Sequence, residues 1–152
     1  NWDEAEERIQ AILARPDQTD FAARSASSYL ADCAFGRGDG ERALERYLDA
    51  FEEVLGAGDI NNALIQLEGV AASLSLLGRE ATAACMVGAI RRTERDIGLA
   101  TDVVGIDPVS RNLDALPDRL GREEYERQLA AGGELSFEEL VNRARLLVPI
   151  AR

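Results

Sequence analysis

The sequence contains no histidine and no lysine, and only two of its 152 residues are cysteine. Without histidine, a Ser-His-Asp triad is excluded within this chain, and a zinc site lacks its usual ligands. Without lysine, a phosphate-binding loop of the G-x-x-x-x-G-K-S/T type is excluded as well. We therefore predict no catalytic residues, no metal ligands and no cofactor-binding residues in this sequence.

The two cysteines, Cys33 and Cys85, each lie on a predicted apolar helix face among alanines. Such positions are typical of buried thiols in a reducing cytosol, where free cysteine behaves as a small apolar residue. A disulfide or a redox pair is the alternative.

Long apolar runs are also missing, because no stretch approaches the roughly 18 residues that a membrane span requires. No signal peptide is visible, and we expect a cytoplasmic protein without a membrane partner. The first residue is Asn1 rather than Met, which favours a fragment of a longer chain.

Positive charge is scarce, since 17 arginines are set against 28 acidic residues and the net charge is -11. A chain this acidic is repelled by a phosphate backbone, so we do not expect nucleic-acid binding by this segment. With 46% apolar and 30% charged residues, the chain can form one domain with a sizeable core. Aromatic residues make up 5%, so the core must rely on leucine, alanine, isoleucine and valine.

The chain is organised around two helices predicted between Asp59 and Gly98, with a turn at Gly78. In the first helix, apolar residues recur every three or four positions and therefore share one face. The second helix carries mostly small residues, so another helix can approach it closely. The apolar set is Ile60, Ala63, Leu64, Leu67, Ala71, Leu74 and Leu77, and the small set is Ala81, Ala84, Cys85, Gly88 and Ala89.

Further helices are predicted upstream of this pair. One begins near Asn1 and ends before Pro16, which cannot continue it. The next begins at the N-cap candidate Asp20. A strongly amphipathic helix follows between Ala43 and Leu55.

The last third of the chain is predicted to hold a loop and then more helices. The apolar patch of the loop, at residues 103–104, is too short for a strand. Pro108 suits a first helical turn, and Pro117 should kink or break that helix. Ser136 and Glu139 have the spacing of a capping box. In total we predict an all-α fold of seven or eight helices.

Two helix pairs recur along the sequence. Residues 40–50 align with residues 78–88, an offset of 38 residues. A period in the thirties made of two helices is typical of an α-α superhelix, in which each pair buries its face on its neighbours. We therefore predict one helical-repeat domain over residues 1–152, with the best repeats at 24–57 and 62–98 and C-terminal helices at 108–148.

Small and aromatic residues recur at fixed positions of these pairs. The first set is Ala31, Ala43, Tyr47 and Ala50, and the second is Gly69, Ala81, Cys85 and Gly88. This spacing resembles that of tetratricopeptide repeats, which place a small residue in the first helix and then an alanine, an aromatic residue and an alanine in the second. In the second set a cysteine replaces the aromatic residue, so the repeats are degenerate.

A second resemblance is carried by four motifs in order. They are Leu-Glu-Gly-Val-Ala-Ala at 67–72, Gly-Arg-Glu-Ala-Thr-Ala-Ala at 78–84, Tyr-Glu-Arg at 125–127 and Gly-Glu-Leu-Ser-Phe-Glu-Glu-Leu at 133–140. Together they resemble the C-terminal helical region of bacterial LuxR-type and related signal-transduction ATPase regulators, a region also found fused to adenylate cyclase domains. The resemblance implies a helical sensor or partner-binding arm beside a nucleotide-switching domain and a DNA-binding or cyclase domain.

If the helix pairs stack as a solenoid, their first helices line a concave groove. The repeat spacing places five residues on that side, and such a polar groove with one acid suits a peptide or a small polar ligand. A groove that is only solvated, or that is covered by a neighbouring domain, is the alternative. The five residues are Ser28, Asp32, Gln66, Val70 and Ser73.

The basic residues Arg91, Arg92 and Arg95 form a cluster in the last turns of a predicted helix, where positive charge complements the helix dipole. Glu94 and Asp96 are interleaved with them, which favours local ion pairing. Docking of an acidic segment or a phosphate is the alternative.

From these observations we expect a non-catalytic binding or sensor module of a bacterial transcriptional regulator or signalling ATPase, without a cofactor. Its partner is expected to be another protein, the rest of its own parent chain or a small-molecule effector. A self-associating structural domain that forms a homodimer, or a free-standing adaptor, is the alternative. An enzyme is not expected, because no convergent set of reactive side chains is visible.

Overall fold

The computed structural model describes residues 1–99 and 107–147, and within them it is all-helical without a strand, as predicted. The predicted loop patch at residues 103–104 lies outside the described residues. The helices are α1 (Trp2–Leu13), α2 (Asp20–Gly36), α3 (Gly40–Gly56), α4 (Ile60–Leu76), α5 (Glu80–Ile97), α6 (Pro108–Asp114), α7 (Leu116–Leu120), α8 (Arg122–Gly133) and α9 (Phe137–Arg145).

Helices α6 and α7 are two parts of one bent segment that meet at Ala115. Pro108 lies in the first turn of α6 and Pro117 in the first turn of α7, where a missing backbone N–H costs no helical hydrogen bond. The break predicted at Pro117 is therefore present, and it lies at Ala115, before the proline. Counted with this segment as one helix, the described residues contain eight helices.

The same turn follows each of the helices α2 to α5. The helices begin at residues 20, 40, 60 and 80, and a glycine with φ between 74° and 78° lies one or two residues beyond the end of each. Beyond each glycine a backbone N–H donates to a carbonyl five residues earlier, as in a Schellman motif. These bonds run from Asp39 to Ala34, Asp59 to Val54, Arg79 to Leu74 and Leu99 to Glu94, at 3.1, 3.0, 2.9 and 2.8 Å.

The spacing of the helix pairs is therefore 40 residues, whereas the sequence alignment has an offset of 38. The alignment places Gly40 on Gly78, but Gly40 is the first residue of α3 and is buried. The structural counterpart of Gly78 is Gly38, because these two glycines share the left-handed turn conformation. Composition alone does not distinguish a glycine that a turn requires for its positive φ from a glycine that close packing requires for its small size.

Side chains cap most of the helix starts. Thr19, rather than the predicted Asp20, is the N-cap of α2, and its hydroxyl accepts from the N–H of Ala22 at 3.1 Å. The predicted capping box of α9 is present: Ser136 Oγ accepts from the N–H of Glu139, and the Glu139 carboxylate accepts from the N–H of Ser136. These caps satisfy backbone donors that a helix start leaves unpaired.

Helix α4 lies at the centre of the described structure, in contact with α3, α5, α6 and α2. Eleven of its 17 residues are buried, and the core around it is built from leucine and alanine with few aromatic rings. The short turns make α2 to α5 consecutive antiparallel neighbours. The superhelical winding expected from the repeat spacing stays a prediction.

The small-residue face of α5 packs against α8, as the sequence predicts for a close helix neighbour. A Cβ atom added to Gly88 would lie under 3.0 Å from the backbone of Leu129, and one added to Gly132 would lie under 3.0 Å from the backbone of Cys85. The two helices therefore meet backbone to backbone. This contact attaches the C-terminal helices to the repeat pairs.

We expect Gly132→Ala to lower the free energy of unfolding by at least about 2 kcal/mol, because the new methyl group meets backbone that cannot rotate away. The neighbouring Gly133→Ala is the matched control, since its Cβ would meet nothing within 4 Å. It should leave stability unchanged or raise it by about 0.5–1 kcal/mol through helix propensity. Urea denaturation followed by circular dichroism measures both, and equal effects of the two variants would contradict the backbone contact.

Candidate functional site

A cavity of about 350 Å³ lies between α1, α2, α4 and the start of α6, with one residue of α3 at its base. Its polar lining is Ser28, Asp32, Glu68, Asp107 and Ser110, and its aromatic lining is Trp2, Tyr29, Phe35 and Tyr47. The size is near the lower end of the range of small-molecule sites, which is about 300–1,000 Å³.

Aromatic side chains are concentrated at this cavity. The sequence has one tryptophan, three tyrosines and four phenylalanines, and half of these residues line it. Trp2 is 39% exposed and Tyr29 is 59% exposed, so the cavity opens to solvent beside them. Phe35 and Tyr47 are buried at its inner side.

Tyr47 connects three helices at the base of the cavity. Its ring packs on Gly69 of α4, where an added Cβ would lie 2.5 Å from the ring. Its hydroxyl donates to Asp32 Oδ1 of α2 at 2.5 Å. The aromatic and small positions of the tetratricopeptide-like pattern are thus a direct packing pair, and the phenol positions an acid of the cavity.

Three carboxylates share this space. Burial raises the pKa of Asp32, against a hydrogen bond from Tyr47 that favours ionisation, and the charge of Asp107 raises this pKa further. Burial also raises the pKa of Glu68 to about 7, with the charges of Glu94 and Asp107 adding to the effect and Arg91 opposing it.

Asp107 behaves differently because it is the N-cap of α6. Although partial burial acts in the opposite direction, hydrogen bonds from the backbone N–H and hydroxyl of Ser110 lower the pKa of Asp107. It therefore stays ionised when Asp32 and Glu68 take up protons. No arginine is among the described residues that line the cavity.

Helix α1 forms one wall of the cavity and has no fully buried residue of its own. Arg37, beyond the end of α2, donates to Asp3 at 2.9 Å and to Glu6, and the Glu6 carboxylate also accepts from Arg46 of α3 at 2.8 Å. Hydrogen bonds from Arg37 and Arg46 lower the pKa of Glu6. The Trp2 ring lies on Gly36, where an added Cβ would clash with it.

The structure separates the five predicted groove residues into two groups. Ser28 and Asp32 line the cavity, and Gln66 is buried behind Ser28, with which it forms hydrogen bonds of 2.9 and 3.3 Å. Val70 and Ser73 are fully buried, and the Ser73 hydroxyl donates to the carbonyl of Gly69 at 2.8 Å. The binding of a ligand by this groove stays a prediction.

Sequence reasoning missed the contribution of Trp2, Tyr29, Glu68 and Asp107 to this cavity. One signal was present, since six of the aromatic residues fall within the first 51 positions. Glu68 also stands inside the motif at 67–72, where an acid interrupts an otherwise apolar run. Neither signal identifies the helices that pack around the cavity.

The three arginines of the predicted basic cluster do not act together within the described residues. Arg92 pairs with Asp96 at 3.5 Å and donates to the carbonyl of Gly133 at the end of α8. Arg91 and Arg95 are exposed on α5. The local ion pairing expected from the sequence is present at Arg92, and docking of an acidic segment or phosphate stays a prediction.

Both cysteines are free thiols, and Cys33 is buried while Cys85 is partly buried. Burial raises the pKa of the Cys33 thiol. Within residues 1–99 and 107–147, no group of three or more cysteine, aspartate or glutamate side chains is arranged to hold a metal ion. None of the helices described is long and apolar enough to cross a membrane.

Comparisons with known proteins give no relative for this chain: no family model, no curated protein and no solved structure matches it.

We expect Glu6→Gln to loosen α1, because the neutral amide loses the ion pairs that the carboxylate forms with Arg37 and Arg46. Acrylamide quenching of Trp2, the single tryptophan, should increase while the helical core stays folded. Glu7→Gln, an adjacent exposed position, is the control and should not change quenching. In the unsubstituted protein, the stabilisation that the Glu6 ion pairs give to α1 is fully present above pH 4.5, the ordinary pKa of a glutamate. It is lost as the pH falls through the lowered pKa of Glu6. Equal quenching of both variants would contradict the role of Glu6.

We expect the ionisation of Glu68 to destabilise the folded protein as pH rises. Its pKa is raised from 4.5 to about 7, so the folded state binds this proton more tightly than the unfolded chain does. The penalty is absent below pH 4.5 and complete above about pH 7. Glu68→Gln should therefore raise the melting temperature by about 2–4 °C at pH 8 and by much less at pH 5.

Thermal unfolding at the two pH values measures this difference. Asp49→Asn, an exposed position of α3, is the control and should give the same difference at both. If Glu68→Gln also gives a pH-independent difference, Glu68 does not titrate in this range.

Proposed function

We propose that this chain is a non-catalytic ligand-binding sensor module of a bacterial transcriptional regulator or signalling ATPase. The observation that carries the proposal is the cavity between α1, α2, α4 and α6, which combines a small-molecule size with an aromatic and polar lining. The motifs at 67–72, 78–84, 125–127 and 133–140 support the regulator context by resemblance.

The mode of attachment of α1 supports a sensing mechanism. A ligand in the cavity contacts Trp2, Ala5 and Ile9 of α1 together with residues of the other helices. It therefore binds the arrangement with α1 docked more tightly than the arrangement with α1 released, and it shifts the population toward the docked one. An output domain that contacts α1 or its neighbours can respond to that shift.

We expect Ile65→Trp to abolish ligand binding. Ile65 is 56% exposed and lines the cavity, so a larger ring there fills the space with little effect on the core. In a thermal-shift screen of a metabolite collection, at least one compound should stabilise the parent protein and fail to stabilise this variant. Ile97→Trp, at a 45% exposed isoleucine of α5 outside the cavity, is the matched control and should respond like the parent. A screen without any stabilising compound, or one in which both variants respond, would contradict the proposal.

Self-association is a second candidate because several apolar side chains are exposed. Phe21 is 68% exposed and Leu146 is 82% exposed, and a two-fold interface could bury such residues. Light scattering over a concentration series tests this candidate. A mass that stays that of the monomer would exclude the homodimer, and a mass that rises to twice that value would support it.

A further inference from the structure

We propose that the cavity binds a small organic cation, an alkylammonium or arylalkylammonium ion whose apolar body packs on the aromatic rings and whose nitrogen lies against the carboxylate of Glu68 in the acidic part of the lining. This inference rests on the proposed function, because it specifies the ligand class of the same site.

The charge of the lining favours a cation. Asp32, Glu68 and Asp107 border one space, and the charge of Asp107 raises the pKa of both of the others, so their fields overlap there. The described lining contains no arginine to balance them. The charge of Arg91 on α5 acts on Glu68 from outside this lining, but an anionic ligand would still meet three carboxylates inside it, which disfavours its binding.

Among the described residues, two of these carboxylates have oxygen atoms without a hydrogen-bond donor. Within residues 1–99 and 107–147, Asp32 accepts a hydrogen bond from Tyr47 at Oδ1 only. Glu68 has no hydrogen bond or ion pair within the same residues. Asp107 is already engaged by Ser110. An ammonium group, which has only donors to offer, can donate to Glu68 or to the second oxygen of Asp32.

The aromatic lining favours an organic cation. Trp2 and Tyr29 lie at the open side of the cavity, and Phe35 and Tyr47 lie at its inner side. The faces of such rings attract alkylammonium groups, most strongly for tryptophan, and also pack against an apolar body. A bare metal ion would gain little from this lining, and the described carboxylates are not arranged as a metal site.

Three probes with the same phenylethyl body test the assignment: phenethylamine, the neutral phenethyl alcohol and the anionic phenylacetate. The only tryptophan of the chain lines the cavity, so its fluorescence reports occupancy, and calorimetry gives the affinity. At pH 8 we expect phenethylamine to bind at least about tenfold more tightly than the alcohol, and phenylacetate not to bind measurably. Ile65→Trp should prevent binding in calorimetry.

Glu68→Gln should weaken phenethylamine binding about tenfold and leave alcohol binding unchanged. Lowering the pH to 6 should weaken amine binding to the parent protein more than to this variant, since Glu68 takes up a proton near Glu94, Asp107 and Arg91. Asp49→Asn, on the exposed face of α3, should leave all affinities unchanged.

Three results would overturn the inference, and the first two leave the proposed function standing. If the alcohol binds as tightly as the amine, the cavity binds by its apolar lining alone and the proposed function stands. If none of the probes binds while a metabolite does so in an Ile65-dependent manner, the ligand class is wrong and the proposed function again stands. If capped lysine amide binds more tightly than phenethylamine, the cavity still takes an alkylammonium group, but the occupant is a basic side chain of a protein partner. The inference of a free small molecule then fails, and so does the small-molecule form of the proposed function.

Discussion

The packing of Tyr47 on Gly69 is the contact on which the repeat region and the cavity both depend. A side chain at position 69 would occupy the space of the ring, so α3 and α4 can reach their present distance only with glycine there. The same tyrosine orients Asp32 through its hydroxyl. One residue thus couples the spacing of a helix pair to the position of an acid, and core packing shapes the base of the cavity.

The remaining walls of the cavity are attached by contacts of different strength. The α4 wall belongs to the most buried helix of the described chain, and the α6 wall is anchored through α7, where Arg119 donates to Ser75 of α4 at 2.6 Å. The α1 wall depends on the shared carboxylate of Glu6 and on the Trp2 ring. A site with a wall that is held mainly by ion pairs and one ring contact can report occupancy through the position of that wall.

The sequence was sufficient to predict the class of fold and most helices, because the periodicity of apolar residues and the turn glycines are local signals. It also predicted that another helix packs closely on α5, because a face of alanine, glycine and cysteine has only small side chains to separate the two backbones. The cavity could not be predicted in this way, because it requires α1 to fold back on α2 and α6 to pack on α4. Val70 and Ser73 illustrate this limit: a solenoid of helix pairs would leave them on a groove, but α4 has neighbours on more sides and they are buried.

The regular 20-residue spacing of the helix starts has a consequence for how such a chain can change during evolution. Helices α2 to α5 begin every 20 residues, and neighbours run in opposite directions. Loss or gain of a single 20-residue unit would therefore invert every helix that follows, whereas a change of 40 residues would restore both direction and contact face. Length variation in a chain of this design is expected to occur in whole pairs, which keeps the direction of the helices that follow.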